Sequence, residues 1–304
     1  MIVADLPAAR LRERLRAGGL RLRTGPVVSC IRSPLEDVAA GVALHYARHP
    51  VVDEGTFADF HVSVERPASL RRWWRPQVVF RFDGDAPFAP LAGDQGFPML
   101  EWGLNWCVSV HCHDYLIVHA AAVARGEHAV VMPAPSGSGK STLCAALVYG
   151  GGWRLMSDEL ALFDRSSGCL HSLARPVSLK NGSIDALSRF APSARMGQVV
   201  HETVKGSVTH VQPPEDAVSA VDRPAHARWI VMPQYRAGCR AELRPLPRAQ
   251  AFMRLVGNAF NYHVHAALGF ELIADVVSAA QCFEFVYSDL EQACRVFDRL
   301  HDSS

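Results

Sequence analysis

The nine residues Ala134-Pro135-Ser136-Gly137-Ser138-Gly139-Lys140-Ser141-Thr142 constrain this 304-residue chain more than any other stretch. They follow an apolar run, His128–Pro133, that reads as a strand, and precede Leu143–Tyr149, which reads as a helix stopped at Gly150-Gly151-Gly152. The spacing is that of a phosphate-binding loop, G-x-x-x-x-G-K-[ST], with Ala134 in place of the first Gly. Gly137 and Gly139 let backbone amides turn inward toward phosphate oxygens, and the start of the helix adds its positive end. Lys140 is expected to reach the outer phosphates of ATP, and the Ser141 hydroxyl to hold magnesium. An ordinary Gly/Ser turn that happens to contain Lys would not need strand, loop and helix in this order. The one departure is Ala134, because Ala tolerates positive φ poorly.

Two further features fall at informative distances from the loop. Asp158-Glu159 closes an apolar strand, Trp153–Ser157, 18 residues beyond Lys140. An isolated acid pair at a strand end is most often solvated. Behind a phosphate loop, the same pair can meet magnesium or orient and deprotonate a hydroxyl acceptor. His119 lies in Leu116–Ala124, which reads as a strand joined to His128–Pro133 through a turn at Arg125-Gly126-Glu127. Alone it would be read as a buried core histidine; across a hairpin from the loop it becomes a candidate active-site residue. On the other side, Leu160–Phe163 and Cys169–Leu173 flank a turn at Ser166-Ser167-Gly168. Hairpins on both sides of the loop predict a mixed sheet rather than the alternating parallel pattern.

The rest of the chain is ordinary globular sequence. Hydrophobic residues make up 49% and charged residues 20%, and the net charge of +1 gives no global pull toward nucleic acid or an anionic membrane. No apolar run approaches the ~20 residues that span a bilayer. The Arg-rich N-terminus lacks an apolar core, so no secretory signal is expected, and Asp5 and Glu13 count against a transit peptide. Eight scattered cysteines without a C-x-x-C pair suit a reduced, cytoplasmic protein. Ahead of the loop, Leu20–Cys30 reads as a strand and Ser33-Pro34-Leu35-Glu36 as a helix start with a capping box. Asp59–Glu65 and Gln77–Asp83 read as strands, and Pro98–His111 as a helix. The Gly-, Pro- and Asp-rich segment 83–98 places a boundary between a small α/β domain, residues 1–100, and a second domain, residues 101–304. Farther on, Arg228–Met232 and Cys282–Tyr287 read as strands, and Pro247–Ala259 and Gly269–Ala280 as helices. Ser288-Asp289-Leu290-Glu291 opens a last helix to about His301.

The motif set resembles the catalytic domain of HPr kinase/phosphorylase, and most nearly the HPr-kinase-related "kinase A" group. The resemblance covers roughly residues 114–301 and is specific over 119–163. In that family a catalytic His lies 21 residues before the loop Lys, as His119 does before Lys140. The loop ends in Gly-Lys-Ser, here Gly139-Lys140-Ser141. An Arg-Leu-x-Ala-Asp-Asp motif, whose second acid accepts the proton, reads Arg154-Leu155-Met156-Ser157-Asp158-Glu159 here. The base is therefore Glu159 or Asp158, with His119 in support. A Leu-Glu-x-Arg-Gly signature, whose Glu helps bind magnesium, is loosely matched by His201-Glu202-Thr203-Val204-Lys205-Gly206, which carries over Glu202. The family's Pro-x-Arg-Pro-Gly-Arg segment, tied to phosphorylase activity, is not visible.

The resemblance implies an α/β phosphate-loop kinase fold of the HPr kinase / PEP carboxykinase type, with a mixed sheet and flanking hairpins. It implies transfer of the ATP γ-phosphate, with Mg2+, to a serine on a protein or ribosomal peptide, without the reverse reaction. Ring-like hexamers in the family make a homo-oligomer an option. No nucleic-acid or membrane partner is expected. A nucleotide-hydrolysing switch and a nucleotide-binding pseudokinase are the alternatives; the first conflicts with the hairpin topology, the second with intact Lys140, Ser141, Asp158 and Glu159. Arg175 and Lys180 either meet substrate or phosphate or are surface charges. Cys107, His111, Cys112 and His113 lack a second ligand pair at zinc spacing and are read as chance neighbours. Arg71-Arg72-Trp73-Trp74-Arg75 reads as a surface patch open to peptide docking, and 258–265 as a loop near the core.

Overall fold

The computed structural model describes residues 1–68 and 73–302. Gly25, at φ 59°, folds the stretch expected as one strand into a hairpin. The first layer runs α1 (Ala8–Arg16), β1 (Leu20–Thr24), β2 (Val27–Arg32), α2 (Glu36–His45), β3 (Phe60–Glu65), β4 (Gln77–Phe82), β5 (Leu91–Ala92) and α3 (Gly96–His111). The strands form one sheet in chain order, antiparallel except for β2 and β3. α2 starts later than its capping box suggests. Ser33 Oγ donates to Val64 O (2.7 Å) and accepts from Leu35 N (3.2 Å), so Ser33 ties the approach to the sheet and does not cap the helix. α3 crosses the expected boundary and packs back onto the first layer: Met99, Leu100, Leu104 and Val108 share a core with Val38, Val62, Val64 and Phe80.

The second layer continues with β6 (Tyr115–Arg125), β7 (His128–Pro133), α4 (Lys140–Tyr149), β8 (Arg154–Ser157), β9 (Leu160–Asp164) and β10 (Leu170–His171). Next come β11 (Val177–Lys180), α5 (Gly182–Phe190), β12 (Val200–Thr203), β13 (Gly206–Val211) and α6 (Glu215–Ser219). The chain ends with β14 (His226–Tyr235), β15 (Glu242–Pro245), α7 (Arg248–Gly257), α8 (Tyr262–Ala279), β16 (Gln281–Tyr287) and α9 (Leu290–Asp302). The main sheet is ordered β10-β9-β6-β7-β14-β16-β15, with β8 also on β6. β7, β14 and β16 are parallel; β6–β7 and β15–β16 are antiparallel, so the sheet is mixed. β11, β13 and β12 form a small separate sheet that pattern reading does not reveal.

Both faces of the main sheet are covered, which is why its strands read as continuous apolar runs. Trp229, Val231 and Phe285 face α4 and α9, while Ile230 and Met232 face α7 and α8. At the final helix Asp289, not Ser288, is the cap, accepting from Gln292 N at 2.7 Å. No helix among the described residues is long and apolar enough to cross a membrane.

Candidate active site

β6 is the spine of the site. β7 pairs with its C-terminal half, while β8 and then β9 pair along its other edge. β8 and β9 are thus one strand broken between Ser157 and Leu160, and the break displays Asp158-Glu159. Ser157 Oγ closes the break by accepting from Leu160 N (3.0 Å). His119, paired opposite Leu160, brings its Nε2 to 3.1 Å from Glu159 Oε2. The opposite edge of β6, which β7 leaves open, is covered by 258–261: Asn258 O accepts from His119 N (2.7 Å) and Asn261 Oδ1 from Ile117 N (2.9 Å). The segment expected as a loop is therefore half loop and half the first turn of α8, and it holds the backbone of His119.

β7 runs directly into the glycine loop. Gly137 (φ 86°) and Gly139 (φ 89°) supply its left-handed positions; Ala134 is not in that region, so it introduces no strain. A Cβ at Gly139 would also sit 2.4 Å from the Tyr287 hydroxyl, which donates to Gly139 O at 2.7 Å. Pro135 and Ser136 are exposed, and Ser141 and Thr142 are half-buried in the first turn of α4. Lys140 heads that helix, buried at 6% exposure, and its Nζ has no hydrogen-bond partner among the described residues. Asp158, equally buried, accepts from Ser178 N (3.1 Å) through Oδ2, while its Oδ1 has no such partner. Ser138 Oγ and Ser178 Oγ are buried in the same state. Buried polar groups normally find partners. An ammonium, a carboxylate oxygen and two hydroxyls left open around one loop fit a phosphate with its cation.

The two acids are held in opposite ways. Burial pushes the Asp158 carboxyl up, with Glu159 adding to the rise, while Lys140 and the Ser141 hydroxyl oppose it. Burial also works against the Glu159 charge. There the His119 hydrogen bond, with the charges of Lys140, His119 and Lys180, wins and holds the carboxyl below its ordinary range. Burial lowers the Lys140 ammonium, with Glu159 and Asp158 acting the other way. A depressed carboxyl stabilises the fold above its unfolded pKa and loses that contribution as pH falls through the folded pKa; a raised one burdens the fold increasingly as pH rises above its unfolded pKa, in full above its folded pKa. Asp158→Asn is therefore expected to raise the unfolding free energy at neutral pH by about 1–2 kcal/mol, with a higher thermal midpoint, and to change nothing below about pH 4. Glu159→Gln is expected to lower it by a similar amount. Melting curves across pH check both signs.

The sequence brought His119, Lys140, Ser141, Asp158 and Glu159 forward together, and they meet here. Glu202 is exposed on β12 at φ 55°, where the register with β13 shifts between Val200 and Thr203, and among the described residues no hydrogen bond links its carboxylate to Ser141. From that hairpin it is Lys205 whose charge interacts with Lys180 and Glu159, its ammonium lying 4.8 Å from the centre of the Trp102 ring. Lys205 and Ser178 went unnoticed in the sequence, although Lys205-Gly206 ends the loose signature. Lys180 acts electrostatically on both Lys140 and Glu159. Arg175 is neither a surface charge nor a phosphate ligand: it is buried against Glu101, Nη2 to Oε2 at 2.8 Å. Cys107 is fully buried and His111 stacks on Phe82. Trp73 and Trp74 are exposed, while Arg71 and Arg72 lie outside the described residues.

Fold and site together define a mixed α/β protein with a strand–glycine loop–helix unit facing a His–Glu pair. No protein-family model matches the chain, and no curated protein matches it. Among solved structures, the Hpr(Ser) kinase/phosphatase from Coxiella burnetii is similar over 62% of this chain and 99% of that one, with 11% identity and a TM-score of 0.23. A likeness at that score is too weak to define a fold, and the site stands on its own geometry.

Proposed function

We propose that this protein is an ATP-dependent serine kinase, transferring the γ-phosphate to a hydroxyl of a protein or ribosomal peptide, without phosphorylase activity. The observation that carries this reading is the Glu159 carboxylate, hydrogen-bonded to His119 and electrostatically coupled to the buried Lys140 at the head of the glycine loop. A phosphate cradle and an oriented base in one place are what phosphoryl transfer requires, since its catalysis is mostly positioning and charge stabilisation.

In this reading the loop amides from Gly137 to Lys140, with the Lys140 ammonium, hold the outer phosphates, and Ser141 and Asp158 hold the metal. Magnesium, when bound, supplies neutralisation of phosphate charge. Glu159 rather than Asp158 takes the acceptor proton. Its side chain is 25% exposed and reachable by a macromolecular hydroxyl, whereas Asp158 is sealed behind it at 4%. The proton passes to Glu159 as the acceptor oxygen bonds to the γ-phosphorus and the bond to the bridging oxygen breaks. His119 fixes the orientation of Glu159. Eight cysteines with no disulfide among the described residues suit the cytoplasmic setting proposed with this activity.

The test compares phosphate release from ATP without and with host extract. A kinase releases free phosphate slowly alone and labels an acceptor when extract is added. Fast, Lys140-dependent release with no labelled acceptor would replace this reading with a nucleotide-hydrolysing switch.

A further inference from the structure

The C-terminal ends of three parallel strands converge beside the glycine loop. β7 delivers the loop, β14 ends at Tyr235 and β16 at Tyr287. Tyr235 N donates to Ser138 O at 2.7 Å, and the Tyr287 hydroxyl donates to Gly139 O at 2.7 Å. The two rings meet edge to face, centroids 5.8 Å apart. A Cβ built on Gly139 would fall 2.9 Å from the Tyr235 Cβ, so Tyr235 sits directly on the residue before Lys140. Tyr287 is fully buried and its polar tip is used. Tyr235 is 52% exposed, and its hydroxyl has no hydrogen bond among the described residues.

We propose that Tyr235 is the platform on which the base of the bound nucleotide stacks. The proposal rests on the phosphate-binding reading of the loop and adds where the rest of the nucleotide lies. Ligands of open α/β sheets bind beyond the carboxyl ends of parallel strands. With the phosphates at Gly137–Ser141, the nucleoside must leave the loop along a neighbouring strand end. On the β6 side that space belongs to Asp158, Glu159 and the acceptor. On the β14 side it opens onto an aromatic ring braced by Tyr287 and pinned to the loop backbone. A half-exposed ring held edge to face against Tyr287 offers a flat apolar face, and base–aromatic stacking needs no more.

The experiment measures binding of two probes by the full chain with magnesium: ATP, and inorganic tripolyphosphate, which has the phosphates but no base. Tyr235→Ala keeps the backbone N–H that meets Ser138. It is expected to weaken ATP about tenfold, the size of one stacking contact, and to leave tripolyphosphate unchanged. Tyr235→Phe is expected to bind both like the wild type. An equal loss of both probes in Tyr235→Ala would make the ring a brace for the loop and overturn the proposal, as would no loss of either. If the wild type binds neither probe, the phosphate-loop reading itself fails and takes the platform with it. Tripolyphosphate binding abolished by Lys140→Ala separates that failure from a failure confined to Tyr235.

Discussion

Replacing Lys140 by Ala is expected to reduce phosphoryl transfer at least 100-fold and to remove measurable ATP binding, with the fold intact. Lys140 is buried, its ammonium has no hydrogen-bond partner among the described residues, and burial lowers its pKa. Taking a charge out of water without a partner is unfavourable. Here Glu159 and Asp158 offset part of that cost, and one preorganised charge aimed at developing negative charge is worth about 100–1,000-fold in rate. Arg is not a conservative substitute, because it replaces a compact point charge with a planar fork. Calorimetric titration with ATP, beside circular dichroism of the variant, checks the expectation; wild-type affinity in Lys140→Ala would sink the assignment of the loop.

The second large effect concerns stability, and is expected from Arg175→Ala: a loss of about 3–5 kcal/mol, the usual result of stripping one partner from a buried ion pair. Arg175 Nη2 meets Glu101 Oε2 (2.8 Å) and Glu101 O (3.1 Å), Nη1 meets Asn105 Oδ1 (2.8 Å) and Nε meets the Tyr46 hydroxyl (3.2 Å). Tyr46 in turn donates to the other Glu101 oxygen at 2.6 Å. Burial opposes the Arg175 charge, yet Tyr46 and Glu101 more than compensate and hold its proton more tightly. The variant would leave the Glu101 carboxylate, 3% exposed, without its cation. The network joins the end of α2, at Tyr46, and α3 of the first layer to the segment leading into β11, which presents Ser178 to Asp158, so the loss is expected to propagate to the site. Replacing Glu101 and Arg175 together by Leu and Met is expected to recover most of the stability in urea unfolding, since two matched apolar groups leave no orphaned charge.

Arg175 also shows where the sequence stops being legible. Its role depends on Glu101, 74 residues earlier, and nothing local distinguishes it from a surface base. The strand–loop–helix unit and His119 were readable because each is a short pattern with its own physics: a glycine turn, a helix start, a continuous apolar run that reads as a strand. Asp158-Glu159 was readable for the same reason, although that its display comes from a broken strand paired along β6 was not. The β11–β13–β12 sheet escaped because its strands span four to six residues and are specified by cross-chain pairing rather than periodicity. The hairpin that carries Glu202 is hard to read for a related reason: a motif match fixes spacing, whereas the register shift between Val200 and Thr203 and the charge interaction of Lys205 with Glu159 depend on the folded chain. Tyr235 and Tyr287 carry no motif and become meaningful only when the parallel strand ends meet at Gly139.

The most direct test of a phosphotransfer site is to incubate the protein with γ-labelled ATP, magnesium and extract of its own host, beside Lys140→Ala. The expected result is a labelled protein or peptide that yields phosphoserine and is absent with the variant. Label appearing only as free phosphate, or an acceptor labelled equally by Lys140→Ala, would contradict it.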